Sequence, residues 1–325
     1  MDWIFQTTGI INHYKPELHY GSQPIRVLNS MNLFMFQNTH PDFISELTEA
    51  FSKHGFSKRV NVVYSEGPIQ RTPYIIAESK EICLDETFLS YLWCICHSVY
   101  TIYVQTIDFP RVNAFVGYQK YIISQDKISK AYDLFDYAKL LIRHFDKWDI
   151  NTMPNPERYF AEDRDYVEQP NMFYTEAMKF ILCHEYTHAI KHIDKINSGR
   201  VDLSSYVEFE EEADYNAIEL MKKGIYPTGR NALTIHIGIT IGILSMFFFK
   251  PTTVGTKHPN TEDRLATALE QLNLDEESPC WGIALIGLQL WSDQFELKLQ
   301  WNNHLTDKQA FYEILRQIKE VANNK

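Results

Sequence analysis

Residues 173–188 read as a helix that must carry two histidines into the protein interior. Phe173, Ala177, Phe180 and Ile181 recur at helical spacing and lead directly into His184-Glu185-Tyr186-Thr187-His188. Pro170-Asn171 marks the expected start of this helix. Residues four apart share a helix face, so the imidazoles of His184 and His188 can reach one small cation together. Buried imidazoles need partners, and a cation is one. An H-E-x-x-H pattern on a helix is the arrangement in which two histidines hold zinc and the glutamate, here Glu185, faces the attacking water as general base.

A catalytic zinc takes three protein ligands and leaves a fourth position open. The third is sought in Glu208-Phe209-Glu210-Glu211-Glu212-Ala213-Asp214, which opens a second helical pattern through Leu220 and Met221. Glu210 and Asp214 are four apart. Two carboxylates at that spacing repel, and a cation beside them reverses the cost. Glu210 is therefore assigned as third ligand. Asp214 is assigned behind the ligands, accepting a hydrogen bond from the far nitrogen of a ligand imidazole. Glu208, Glu211 and Glu212 read as a solvated acidic face. Two rivals lie nearer. His192 continues the His184–His188 stripe, but it sits eight residues past His184, about 12 Å along a straight helix. Asp194 stands where H-E-x-x-H-x-x-G-x-x-H proteins carry their last ligand, yet Lys191 occupies the glycine position that lets such a chain turn back.

A third element, His258-Pro259-Asn260-Thr261-Glu262-Asp263-Arg264-Leu265, reads as a helix start with an apolar face at Leu265, Ala268 and Leu269. H-E-x-x-H, then Glu210-x-Glu212-Ala213-Asp214, then His258-Pro259-x-x-x-x-Arg264, in that order, resembles the gluzincin peptidases related to the prenyl-protein and heat-shock membrane proteases. More closely, it resembles the Lit family of bacterial phage-exclusion peptidases. The resemblance takes in roughly residues 80 to 270, including the apolar segment Leu84–Trp93. It implies a zinc endopeptidase with His184, His188 and Glu210 as ligands, Glu185 as general base, and His258 and Arg264 near the site. His258 is the first candidate to stabilise the oxyanion and one of the chain's tyrosines the second; Arg264 is expected to hold the acidic helix. The best-known family member cleaves translation elongation factor Tu when a phage-derived peptide is bound to it, so the implied partners are a host translation factor and a phage peptide trigger.

The balance of 31 basic against 42 acidic residues, net charge -11, lowers the expectation of a nucleic-acid partner. Met1-Asp2-Trp3-Ile4-Phe5 lacks the charged start and long apolar core of an export signal. With that, the five cysteines are expected to be reduced thiols in the cytoplasm. Cys94 and Cys96 stand too close for the usual zinc pairings, and Cys183 reads as core. The segment Ala232 to Phe249 is near the lower limit for a bilayer span. An internal histidine and two glycines favour a buried core helix over an inner-membrane anchor. Alternating isoleucines at 235, 237, 239, 241 and 243 leave a buried strand as a third reading.

The expected fold is α+β and mostly helical: a zincin-like peptidase core with a small N-terminal sheet. Residues 1–85 are read as a motif-free region holding that sheet, with strands at 59–64, 73–77 and 81–84. Residues 86–325 are read as the helical peptidase domain, with one continuous domain over both regions as the alternative. Helices are expected at 86–106, 130–147, 172–192, 207–223, 231–249, 260–272, 280–299 and 307–322. The stretch 148–170, with Pro154 and Pro156, reads as a long loop and as a lid or wall of the substrate cleft. The rival readings are a membrane-associated quality-control peptidase and a catalytically idle zinc scaffold. Glu185 argues against the scaffold, because a structural site has no use for a base.

Overall fold

The computed structural model describes residues 2–3, 20–69, 72–117, 123–199, 201–302 and 304–323. Of the N-terminal stretch used above, Met1, Ile4 and Phe5 lie outside the described residues. The chain is mostly helical. After a short strand β1 (Asp2–Trp3) come helices α1 (Arg26–Gln37) and α2 (Phe43–Lys53), then strands β2 (Val60–Val63), β3 (Tyr74–Ile76) and β4 (Glu81–Asp85). Helix α3 (Glu86–Tyr103) runs through a π-helical turn into α4 (Phe109–Phe115), followed by α5 (Gln125–Arg143) and β5 (Arg158–Tyr159). The long helix α6 (Arg164–Thr187) continues through a π-helical turn, His188–His192, into α7 (Ile193–Asn197). Helices α8 (Leu203–Lys222), α9 (Ala232–Leu244), α10 (Thr261–Gln271), α11 (Pro279–Gln294) and α12 (Asp307–Asn323) complete it. One continuous set of packed apolar side chains runs from Ile25 to Ile318.

β2, β4 and β3 form a sheet in that order, β2 parallel to β4 (Val60↔Ile82) and β3 antiparallel to it (Tyr74↔Cys83). β1 pairs with β5 apart from this sheet. The β3–β4 hairpin turns at Lys80, whose φ of 50° puts it in the left-handed region. Its ammonium donates to His54 O at 2.7 Å and to Asp194 Oδ2 at 2.9 Å. Asp194, a rival for third ligand, is thus engaged in fastening the sheet to α7. The strands expected from sequence are present. The two helices ahead of them, α1 and α2, carry no motif and were not foreseen.

Helix α6 lies at the centre, packed by α9, α8, α3 and α1. It begins at Arg164, not at Pro170-Asn171, and Pro170 sits inside it. Proline there removes one backbone hydrogen bond. Val167, Pro170, Asn171 and Tyr174 nonetheless form a continuous buried face, and Asn171 accepts from Trp93 Nε1 at 2.5 Å. That burial outweighs the missing bond, so the helix extends back into the segment read as loop. The rest of that segment, with residues from Ile150 to Val167, lines a separate cavity of about 480 Å³. It is not a wall of the cleft that holds His184.

Helix α9 is apolar on every side and helical, which removes the strand reading. An all-round apolar helix must be covered, and α6 covers it. At Gly238 an added Cβ would fall 2.3 Å from Glu176 Cβ and 2.9 Å from Ala177 N. Only glycine allows this approach, which fixes the height of the histidine helix. Glu86–Phe115 and Ala232–Phe249 are both long and apolar enough to cross a bilayer, and both are largely buried inside the fold.

Candidate metal-binding active site

Two helices supply the donors. At the end of α6, His184 and His188 project together, their Nε2 atoms 3.0 Å apart. Asp202 caps α8, accepting from Ser205 N at 2.9 Å, and starts the helix that brings Glu210 across from them. Glu210 Oε2 lies 3.4 Å from His184 Nε2, and Oε1 lies 3.3 Å from His188 Nε2. Ligands held about 2.0–2.1 Å from a tetrahedral cation stand about 3.3–3.4 Å from one another. The two histidine–carboxylate distances fall at that spacing and the two Nε2 atoms stand closer, at 3.0 Å; the group is one that can hold a metal ion.

The surroundings favour positive charge at the centre. Burial alone would lower His184, but hydrogen bonds to Asp214 and Glu210 outweigh it and push the imidazole up to about 10. His188 is driven down to about 4 by burial, against Glu210. Glu210 is itself buried, yet its bonds to His184, His188 and His258 hold it well below the usual carboxylate range.

Asp214 Oδ1 accepts from His184 Nδ1 at 2.8 Å. Arg264 closes on the same carboxylate, Nε to Oδ2 at 2.6 Å and Nη2 to Oδ1 at 2.8 Å. Burial would raise Asp214, but Arg264 and then His184 bring it down to about 2. Arg264 Nη1 also reaches within 3.8 Å of Glu210 Oε2. It therefore ties α10 to both Glu210 and Asp214 of α8.

His258 Nδ1 stands 3.1 Å from Glu210 Oε2 at the solvent edge, with its side chain 60% exposed. The loop before α10 is folded tightly to put it there. A Cβ on Gly255 would fall 2.0 Å from His258 O, and Gly255 N donates to Asn260 Oδ1 at 3.1 Å. Glu185 lines the cleft beside His184. Burial pushes its carboxyl up to about 7, with His184 opposing.

The cleft has a volume of about 720 Å³. Tyr74 and Ile75 of the edge strand β3 form one bank, Tyr206 and Phe209 of α8 another, and Gly255 to Pro259 a third. Phe180, Ile181, Ile193 and Met246 give it an apolar floor. The structure thus gathers His184, Glu185, His188, Glu210, Asp214, His258 and Arg264 at one place. His192 does not join them. Its Nδ1 lies 2.9 Å from His188 Nδ1, on the side away from the donor cluster. Glu212, read from sequence as solvated, pairs with His192 Nε2 at 3.0 Å and with Lys191 at 2.7 Å. Helical periodicity could not reveal that pairing, because it depends on how α8 crosses the turn after α6. Glu208 and Glu211 are exposed, in keeping with a solvated face. All five cysteines are buried free thiols.

Neither curated proteins nor solved structures show a match to the chain. A family model, Peptidase U49, matches residues 82–284. The match spans well over half the chain, from β4 into α11, and includes every side chain named at the donor cluster: the chain belongs to the Peptidase U49 family.

Proposed function

We propose that this protein is a zinc-dependent endopeptidase of the gluzincin type, with His184, His188 and Glu210 as ligands and Glu185 as general base. The observation that carries the reading is the convergence of three donors with a raised carboxyl beside them, inside a cleft lined in part by an edge strand. Zinc bound there supplies Lewis acidity toward the scissile carbonyl and lowers the pKa of water toward about 7. Glu185 takes the proton from the attacking water and passes it to the leaving amine; a carboxyl poised near 7 suits both halves of that task. Asp214 holds the His184 ring with its Nε2 toward the centre. His258, exposed and beside Glu210, is placed to donate to the oxyanion. An extended substrate adds to the edge of β3, its side chains entering the apolar floor.

The Lit resemblance extends this reading to phage defence. In that reading the enzyme is cytoplasmic, stays latent until a phage-derived peptide appears, and cleaves elongation factor Tu. The burial of Ala232–Phe249 against α6 supports a cytoplasmic enzyme over a membrane-anchored one.

The test is metal content and cleavage in parallel. Glu185→Gln should keep zinc and lose at least a hundredfold in cleavage. His188→Ala and Glu210→Ala should lose zinc by elemental analysis, and full retention in Glu210→Ala would overturn the ligand assignment. Wild-type and Glu185→Gln chains co-expressed with phage challenge, read by new protein termini, test the substrate. Intact elongation factor Tu alongside other new cuts would keep the peptidase and remove that target.

A further inference from the structure

We infer that His192 and Glu212 are positioning residues for His188, forming a hydrogen-bonded relay that selects the ring tautomer able to bind the cation. The inference rests on the reading of His188 as a metal ligand and deepens it.

His192 is fully buried. Two residues of α8 hold its ring: Phe209 stacks on its face, 4.4 Å between centroids at 11°, and Glu212 Oε2 faces Nε2 at 3.0 Å. The third contact is Nδ1 to Nδ1 of His188 at 2.9 Å. It forms within the π-helical turn His188–His192, an irregularity frequent at functional sites.

Two imidazole nitrogens at that distance require one donor and one acceptor, and the arrangement follows by elimination. With both rings neutral, a proton on His192 Nδ1 would be accepted by His188 Nδ1. The neutral His188 would then bear its own proton on Nε2, pointing at Glu210 and blocking the cation. His192 Nε2 would meanwhile turn a lone pair toward the Glu212 carboxylate, which is repulsive. The opposite assignment satisfies every group. Glu212 accepts from His192 Nε2, His192 Nδ1 accepts from His188 Nδ1, and His188 Nε2 is left with a free lone pair facing His184 and Glu210. Lys191 Nζ, 2.7 Å from Glu212 Oε1, fixes the far end. The acceptor oxygen of Glu212 thus sets the state of His188 through an intervening ring. Partners of this kind behind a ligand imidazole are typically worth about 10–100-fold in metal affinity.

The experiment measures zinc affinity by chelator competition and the visible spectrum of the cobalt(II)-loaded protein, neither of which needs a peptide substrate. Glu212→Ala and His192→Phe should each weaken zinc binding at least tenfold. His192→Phe keeps the stack on Phe209 and should also shift the cobalt bands. Glu212→Gln retains an acceptor oxygen and should recover most of the affinity. Thermal unfolding verifies that each variant is folded, and if His192→Phe is not, Glu212→Ala at the protein surface decides alone. Wild-type affinity and an unchanged cobalt spectrum in Glu212→Ala would overturn the relay even if the variant is less stable. A wild-type chain that binds no metal would instead sink the metal reading beneath it.

Discussion

The two histidines of the donor cluster are backed in opposite ways. Behind His184 the hydrogen bonds run inward, to Asp214 and then to Arg264, whose side chains are 12% and 9% exposed. Behind His188 they run outward, from fully buried His192 to Glu212 and Lys191, which are 40% and 41% exposed. Both chains end in a cation and pass through a carboxylate. The difference is solvent. A buried ion pair loses heavily when one partner is removed, because the other charge is stranded. An exposed pair is screened, and its removal costs little stability. The inward arm should therefore carry stability as well as orientation, and the outward arm mainly orientation.

The comparison breaks most readily at Asp214. Asp214→Ala strands Arg264 and should cost about 3–5 kcal/mol in denaturant unfolding. A cost below about 1 kcal/mol, the range of exposed pairs, would mean the two arms are alike. The next effect is in acid. The Asp214 carboxyl is lowered to about 2 in the fold. A lowered carboxyl adds stability above its unfolded value near 3.8, and that stability is lost as pH falls through about 2. Unfolding free energies between pH 5 and pH 2 should therefore fall by about 2 kcal/mol more in wild type than in Asp214→Asn. Parallel curves would show that Asp214 is not the group responsible.

On the outward arm the effects shrink. Glu212→Ala should lower stability by less than about 1 kcal/mol, although it weakens zinc binding at least tenfold. A loss of several kcal/mol there would erase the distinction between the arms. Smallest is Lys191→Ala, expected to cost a few tenths of a kcal/mol at low salt and nothing measurable at about 1 M salt, where screening is short-ranged. A salt-independent cost in thermal melts would mean that Lys191 is held by more than charge.

Much of the donor cluster is legible in the sequence. His184 and His188 are tied by helical spacing, and so are Glu210 and Asp214, because a helix imposes its own periodicity on any chain that forms one. Arg264 and His258 were expected near the site only through the family resemblance that the three motifs carry. What lay beyond reach was anything set by how two elements cross. Glu212 looked like one of several solvated glutamates, since its partner is on another helix. Residues 148–170 looked like a cleft wall by proximity in sequence, but they line a different cavity. Pro170 looked like a helix start because the local rule against interior proline is sound. It was overridden by a buried face that the rule cannot see.

The chemistry of the donors, and which of them share a helix face, are written in the chain. Both are local properties, fixed by side-chain type and a 3.6-residue period. Packing set the rest: α8 brings Glu210 within 3.3–3.4 Å of the two histidines, Gly238 lets α9 press on α6, and Tyr74 and Ile75 of β3 line the cleft. It also decided the fate of His192. A straight helix leaves that ring too far from the cluster to be a ligand. The π-helical turn and the crossing of α8 make it a support for His188 instead. Distances between elements depend on packing summed over the whole core, and no short stretch of sequence encodes them.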